Sequence, residues 1–449
     1  MTAYRLQRLC SVPFETTIYE ASSRLGGKIL AGQFASQAVP YEAGAAELYD
    51  YSRVGEDPLR DLIDELGLPT TGMSGASVIL DDQVLGDFDD AGRVYGEATR
   101  RALIAFDARA RRWMSPQEYY DSDWMESNAD PKSSDSFYEE LAKVPDETAR
   151  RFLRTLVHSD LATEPHRTSA SYGLQNYLMN DSSYMRLYTI EGGIERLPRE
   201  LAARLEARVL LREPVTRVDR ADDNMILVTS RRDGALACEK YDYVVVALPN
   251  GLIPAIEWAG EALAQAMHRH HVHYDHPAHY LRVSVLFREA FWCNDLHESY
   301  FMLDAFGGCC LYDESSRNGC ETSGVLGWLL AGDAAMEAAN HTDAELIDMV
   351  LDSLPSFLQH GRALFLEGKV HRWIGSVNGL PGGSPALDME SRHIPELARP
   401  NLFTVGDYLF DSTLNGVLDS ADYVAEWLAE EMEAVASTST QPAAYSTAV

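Results

Sequence analysis

Residues 15–29 read ETTIYEASSRLGGKI. Thr17, Ile18 and Tyr19 are β-branched or aromatic and suit a pleated strand, which Glu20 closes. A carboxylate at that point can accept hydrogen bonds from both hydroxyls of an adenosine ribose, although an acidic strand end is more often simply solvated. Gly26 and Gly27 then give backbone that can pass close to a ligand, with Arg24 and Lys28 on either side to neutralise a pyrophosphate. An ordinary surface turn with basic neighbours would satisfy the same hexapeptide. The stretch has the order of a second strand in a dinucleotide-binding sheet, yet only fourteen residues precede it and none is glycine.

Composition narrows the partners. The chain has 449 residues, too many for one compact core, so two or three domains are expected. With 38 Lys+Arg against 69 Asp+Glu, the formal charge of -31 repels nucleic-acid phosphates and anionic lipid, which leaves small molecules as the favoured ligands. No apolar run is long enough to span a bilayer, and the first residues lack the basic flank and apolar core of a signal peptide. No integral membrane segment is expected, and the cytoplasm is the simplest address.

Cys10, Cys238, Cys293, Cys309, Cys310 and Cys320 form no CxxC pair, so reduced, mostly buried thiols and no metal site are expected. Adjacent Cys309 and Cys310 could link a cofactor or form a redox pair, but more often such residues fill a strand.

Periodicity divides the chain. In DPLRDLIDELGLP, Leu59, Leu62, Ile63 and Leu66 fall at helical spacing, with Asp57 as N-cap, Pro58 in the first turn and Gly67 as the stop. From about 91 to 187 the pattern is mainly helical, broken by the polar DSDWMESNADPKSSDS. Leu197, Leu201 and Leu205 mark another helix, and a hairpin turning at Asp233-Gly234 precedes an apolar strand from Tyr243 to Leu248. A β-rich region follows, then a helix near 343–357, a last strand and a long helix whose apolar stripe is Val417, Leu418, Ala421, Val424, Ala425, Leu428 and Met432. The small, polar tail 437–449 is expected to be disordered.

Six blocks stand in order: IYEASSRLGGKI, YEAGAAEL, YTIEGGIERLPREL, REPVTRVDR, YDYVVVALP and NLFTVGDYLFDSTLNGVLDSADYVAEWL. Together, from Tyr4 to Leu428, they resemble the flavin-containing amine oxidase superfamily, which includes monoamine, polyamine and L-amino-acid oxidases and, further off, protoporphyrinogen oxidase and carotenoid desaturases. The resemblance implies an α/β fold: a discontinuous Rossmann-like FAD-binding domain (1–72, 190–256, 390–436) and an α+β substrate domain with a helical insertion (73–189, mainly helical, and 257–389, β-rich). It implies that Glu20 holds the adenosine ribose with Ala21 beside it, and that Arg24, Gly27 and Lys28 flank the pyrophosphate. Gly44, Ala45 and Ala46 would line the ribityl and ring side, Val215 would pair with adenine, and Gly406 and Asp407 would meet the ribityl or pyrophosphate end. Gly416 and Val417 would begin a helix whose N–H groups face the pyrimidine edge of the ring.

The sequence departs from the family pattern in three places. Where the family carries a lysine next to flavin N5, this chain has Arg282, larger and never deprotonated, which puts reaction with O2 in doubt and leaves another electron acceptor open. Where the family places an aromatic wall over the flavin, it has Thr413, with Trp373, Tyr408 or Phe410 as candidate substitutes on the substrate side. The first strand and its GxGxxG loop are missing, so the strands near Ile18 and Thr404 are expected to lack a neighbour. The expectation is that Met1 is an internal methionine and that the biological chain starts about 20 residues upstream, the length of one strand and its turn.

HRHHVHYDHPAH gathers His268, His270, His271, His273, His276 and His279. His271 and His273 alternate as metal ligands on one strand face would, but no carboxylate or cysteine spacing completes a site, and a ligand-free loop is expected. The functional expectation is an FAD-dependent oxidoreductase that oxidises a C–N bond of an amine or amino acid by hydride transfer to flavin N5. C–C dehydrogenation, as in desaturases or protoporphyrinogen oxidase, is the alternative. A truncated remnant unable to hold FAD is the non-enzymatic one. No catalytic base is assigned.

Overall fold

In the computed structural model, which describes residues 1–121, 135–315, 323–383 and 387–439, Thr17–Glu20 is a strand. It runs parallel to Arg208–Leu211, with Ile18 opposite Val209. A second parallel pair joins Val244–Val246 to Leu402–Thr404. The two ladders are separate sheets, and among the described residues Thr17–Glu20 and Leu402–Thr404 each have a single strand partner. One apolar cluster gathers Tyr4 from helix Thr2–Leu9, Leu59, Leu62 and Ile63 from Pro58–Glu65, Leu197 and Leu201 from Arg196–Ala203, and Leu418 from Leu414–Ser439.

The hairpin forms as its sequence dictates. Ile226–Arg232 pairs antiparallel with Ala235–Tyr241, and the two residues between them, Asp233 (φ 49°) and Gly234 (φ 82°), take the left-handed conformations of a tight hairpin turn. Val215–Arg220 and Glu257–Trp258 complete this four-stranded sheet.

A seven-stranded sheet runs in the order Phe365–Asn378, Pro277–Phe287, Gly324–Ala331, Cys309–Asp313, Tyr300–Leu303, Gly75–Leu80 and Gln83–Leu85. Alternation along its strands sorts the two faces. Val78, Met302, Cys310 and Tyr312 pack with Leu153, Leu156 and Val157 of helix Glu147–Leu161, whereas Ile79, Phe301, Cys309 and Leu311 pack with Leu346, Val350 and Leu351 of helix Asp343–Asp352. The 88–179 region is helical as expected, but its N-terminal flank contributes two strands to this sheet.

Several sequence expectations change. The histidine-rich segment is no strand or loop at its start: His268, His270, His271 and His273 lie on helix Glu261–His273, whose buried positions Leu263, Ala266, Met267 and His270 are a helical stripe. Val417 and Met432 are only partly buried. Cys309 and Cys310 fill a buried strand, and both are free thiols. Most of the polar break in the helical region, Cys320, and residues 440–449 of the tail lie outside the described residues. Among the described residues no helix is long and apolar enough to cross a membrane, and no group of three or more His, Cys, Asp or Glu is arranged to hold a metal.

Asp57 tests how local chemistry starts the fold. Its buried carboxylate accepts the Arg60 N–H at 3.0 Å, capping helix Pro58–Glu65, and the Tyr51 N–H at 2.8 Å. Asp57→Ala is expected to cost about 1–2 kcal/mol and lower the thermal midpoint by a few degrees. Asp61→Ala, on the exposed side of the same helix, is the matched control and should move the midpoint far less in the same calorimetric scan.

Candidate active site

The loop after Glu20 closes on itself. Glu20 Oε1 accepts the Ser22 N–H at 2.6 Å, and Gly26 (φ 113°) and Gly27 (φ 54°) reverse the chain. Arg24 donates to the carbonyls of Leu25 (3.2 Å), Ile29 (2.9 Å) and Gly27 (2.6 Å), so its guanidinium staples the turn. Lys28 reaches further. Its Nζ donates to Ser376 O at 3.0 Å and pairs with the Asp407 carboxylate, joining positions far apart in sequence. Asp407, Ser376, Gly375, Asn250 and Gly251 share the wall of a cleft.

Gly44–Ala46 packs onto the same turn. Gly44 N–H donates to Leu30 O at 3.0 Å and Ala45 N–H to Lys28 O at 3.2 Å. A Cβ on Gly44 would stand 1.9 Å from Lys28 O, so only glycine fits this approach. Trp373 Nε1 donates to Ala43 O at 2.7 Å, so Trp373 braces the loop. Gly406 N–H donates to Ser420 Oγ at 3.1 Å, Val215 opens its strand opposite Ser230, and Ala21 is exposed at the turn.

Helix Leu414–Ser439 begins on a side chain. Asp411 Oδ1 accepts the N–H groups of Thr413 (3.0 Å) and Gly416 (3.1 Å) and the Thr413 hydroxyl. Burial raises the Asp411 carboxyl above the ordinary range. Val417 N–H makes a regular helical bond to Thr413 O at 3.2 Å. Thr413 therefore serves the helix cap. Tyr408 is buried with its hydroxyl 2.9 Å from His270 Nε2, on the Asp407 side. Burial pushes the His270 imidazole down to about 3, so it stays neutral and structural. His271 Nδ1 lies 3.1 Å from Asn250 O, and His279 Nδ1 accepts the Gly375 N–H at 3.0 Å.

Arg282 lies in the sheet core. It is 1% exposed, donates from Nη2 to Glu314 Oε1 at 2.6 Å, and sits 4.7 Å from the centre of the Tyr312 ring. Glu314 Oε2 accepts the Glu42 N–H at 3.0 Å, and Glu42 Oε1 accepts the Ile194 N–H at 2.9 Å.

Glu47, the residue after Gly44–Ala46, lines a second cleft. Its wall carries the carboxylates of Glu47 and Asp160, the phenols of Tyr49, Tyr300 and Tyr312, and the Cys310 thiol. Asn180 Nδ2 donates to Asp160 Oδ2 at 2.7 Å. Burial, only partly offset by that bond and reinforced by Glu47, pushes Asp160 up to about 7. Burial also drives Tyr49, Tyr312 and Cys310 well above their ordinary ranges, so all three stay neutral. Trp373, Tyr408 and Thr413, the sequence candidates for the substrate side, are not on this wall. Glu47 and Asp160 were the missed signals: one acid directly between buried Ala46 and Leu48, another on a helix buried nearly all round at Leu153, Leu156, Val157 and Leu161.

The model of the flavin-containing amine oxidoreductase family matches residues 1–428. The chain belongs to this family. Membership brings FAD as the cofactor and flavin-dependent oxidoreduction as the family chemistry. The dog (Canis lupus familiaris) flavin-containing amine oxidase A is 33% identical over 123 residues, 25% of this chain and 22% of the relative, so the match spans less than a quarter of that protein. The structure of a putrescine oxidase bound to putrescine is similar with a TM-score of 0.70, at 17% identity over 96% of each chain. A protein from Exiguobacterium sp. 255-15, provisionally assigned as a protoporphyrinogen oxidase, is similar with a TM-score of 0.66, at 16% identity over 96% of each chain. At these identities the likeness shows a shared fold.

The residues present fit FAD. A carboxylate ends a parallel strand, positive-φ glycines follow it, one basic side chain reaches the cleft wall, and a glycine-tight loop leads from the Lys28 turn to Glu47 on the wall of the second cleft. Arg24 differs, because its Nη1 and Nη2 donate to carbonyls of its own turn.

Two outcomes follow. Arg282→Met should destabilise the protein by about 3–5 kcal/mol, because it leaves the buried Glu314 carboxylate without its guanidinium; thermal unfolding reads this, and Arg282→Lys should recover part of the loss. For Asp160, the folded value of about 7 lies above the unfolded carboxylate range. Between about pH 4 and 7 the folded state therefore keeps a proton that the unfolded chain has lost. This group's stabilisation falls as pH rises through that window, by at most about 1.4 kcal/mol for each pH unit. Glu47, His158 and Asn180 face the group and stay in place in Asp160→Asn. The melting temperature of Asp160→Asn relative to the parent should thus climb from pH 5 to pH 8.

Proposed function

We propose that this protein is an FAD-dependent oxidoreductase that removes a hydride from the carbon beside an amine nitrogen. The observation that carries the reading is the position of Gly44–Ala46, which is bonded to the Lys28 turn and continues at Glu47 onto the wall of the tyrosine-lined cleft. Bound FAD would supply the hydride acceptor. The chain's own residues bind, orient and exclude water. Glu20 would hold the adenosine ribose, Val215 the adenine, and Lys28, Asp407 and Ser376 the phosphate and ribityl region. Gly44, Ala45 and Ala46 would keep the ring against the cavity, where an amine enters in a fixed orientation.

In this reading the FAD-binding domain is assembled from 1–72, 190–256 and 390–436, and the substrate domain from 73–189 and 257–389. The four strands of the two parallel two-stranded ladders fall in the first set and the seven strands of the large sheet in the second.

A second reading is C–C dehydrogenation. It is favoured by Arg282, whose place in a buried ion pair with Glu314 is unlike that of a lysine free to meet a flavin through water. The two readings separate in an anaerobic titration of the desalted, FAD-loaded protein. Primary amines are expected to bleach the flavin absorbance and to leave the matching imine or aldehyde. Bleaching by a cyclic or polyene hydrocarbon alone favours the second reading, and a protein that stays colourless after FAD loading overturns both. Admitting air then shows whether O2 or another acceptor restores the colour.

A further inference from the structure

We infer that Asn250 is a cofactor-binding residue whose side-chain carbonyl accepts a hydrogen bond from a ribityl hydroxyl of FAD. The inference rests on the cleft beside Lys28 and Asp407 being the ribityl site. Strands Val244–Val246 and Leu402–Thr404 run parallel with Val246 opposite Thr404, so the turns that leave their carboxyl ends start side by side. One turn delivers Asn250 and the other Asp407, and both residues line the same cleft. The crevice beyond the carboxyl ends of parallel strands is where such sheets take their ligands.

The side chain is held with its acceptor left over. Asn250 is 7% exposed, its Nδ2 donates to His271 O at 3.1 Å, and His271 Nδ1 lies 3.1 Å from Asn250 O. This reciprocal pair ties the amide to helix Glu261–His273. Asn250 Oδ1 is buried and meets no donor among the described residues. A buried carbonyl oxygen without a donor carries its full desolvation penalty, which a ligand hydroxyl would remove.

Chemistry selects the part of the cofactor. The phosphates of FAD are ionised acceptors at neutral pH, so they cannot serve an amide oxygen. The ribityl chain is a row of hydroxyls, each able to donate. Asp407 adds a carboxylate to the same wall, and the Ser376 carbonyl there already takes Lys28 Nζ. In the proposed arrangement Glu20 and the Gly44–Ala46 loop take the adenosine ribose and the ring, which leaves the polyol as the segment that meets Asn250.

The full chain, stripped of flavin, is titrated with FAD and with FAD analogues that each lack one ribityl hydroxyl, and binding is read from flavin fluorescence. In the parent, the analogue without the partner hydroxyl is expected to bind about three- to tenfold more weakly than FAD. Asn250→Leu should abolish that ratio for this analogue alone, because the variant has no acceptor to lose. Asn250→Asp drops the Nδ2 bond to His271 yet keeps an acceptor, so it should retain or enlarge the ratio, which a merely structural tether to the helix would not do. Ratios that match the parent's for every analogue in Asn250→Leu overturn the inference, and so does a parent that binds every analogue as tightly as FAD. If Asn250→Leu does not fold, Asn250→Asp decides, and loss of the ratio there overturns the inference. Asp407→Asn separates the inference from the reading it rests on. Ratios that shift in Asp407→Asn but not in Asn250→Leu leave the ribityl site standing without Asn250, whereas ratios indifferent to both variants overturn the placement of the ribityl chain itself.

Discussion

One buried carboxylate, Glu314, ties the large sheet to the cofactor side of the molecule. It receives Arg282 from Pro277–Phe287, next to the edge strand of the seven-stranded sheet, and the Glu42 N–H from the segment leading to Gly44–Ala46. Glu42 in turn accepts the Ile194 N–H just before helix Arg196–Ala203. Both acids and the arginine are almost fully buried, so none of the three can be removed without stranding another. The position of the ring-side loop relative to the tyrosine cavity follows from this relay. Arg282 therefore has a structural duty at the place where the family pattern puts a flavin neighbour.

Local chemistry was the most legible part of the sequence. The helix capped by Asp57, the turn at Asp233-Gly234 and the apolar stripe of the last helix each follow from residues only a few positions apart. Lys28 and Asp407 were each readable as cofactor residues, but their pairing spans most of the chain. Arg24 shows the local case, since a basic residue beside two glycines looks like a phosphate ligand, whereas in the fold its Nη1 and Nη2 also donate to carbonyls of its own turn. In the histidine-rich segment, the density of one residue type hid an ordinary helical spacing from Leu263 to His270.

The acids of the cavity were illegible for a different reason. Nothing in GAAEL or in LVHSDLA separates a solvated carboxylate from a buried one, because the wall is assembled from the Glu47 loop, helix Glu147–Leu161 and strands of the large sheet. Only the assembled fold removes water from Asp160 and raises its proton affinity. Electrostatics that depend on burial emerge at the tertiary level, whereas capping and turn chemistry do not.

The same molecule thus uses carboxylates in two opposed ways. Glu314, Glu42 and Asp411 are met by guanidinium, backbone or hydroxyl donors, and each fixes a piece of framework. Glu47 and Asp160 are partly buried on the wall of one cleft, Glu47 with an Oε2 that meets no donor among the described residues and Asp160 with Asn180 on one oxygen. Incomplete satisfaction destabilises the empty fold, and a well-packed apolar replacement would be the more stable choice. Charge interactions strengthen where water is excluded, so these two acids weigh more on the cleft they line than solvated surface carboxylates do.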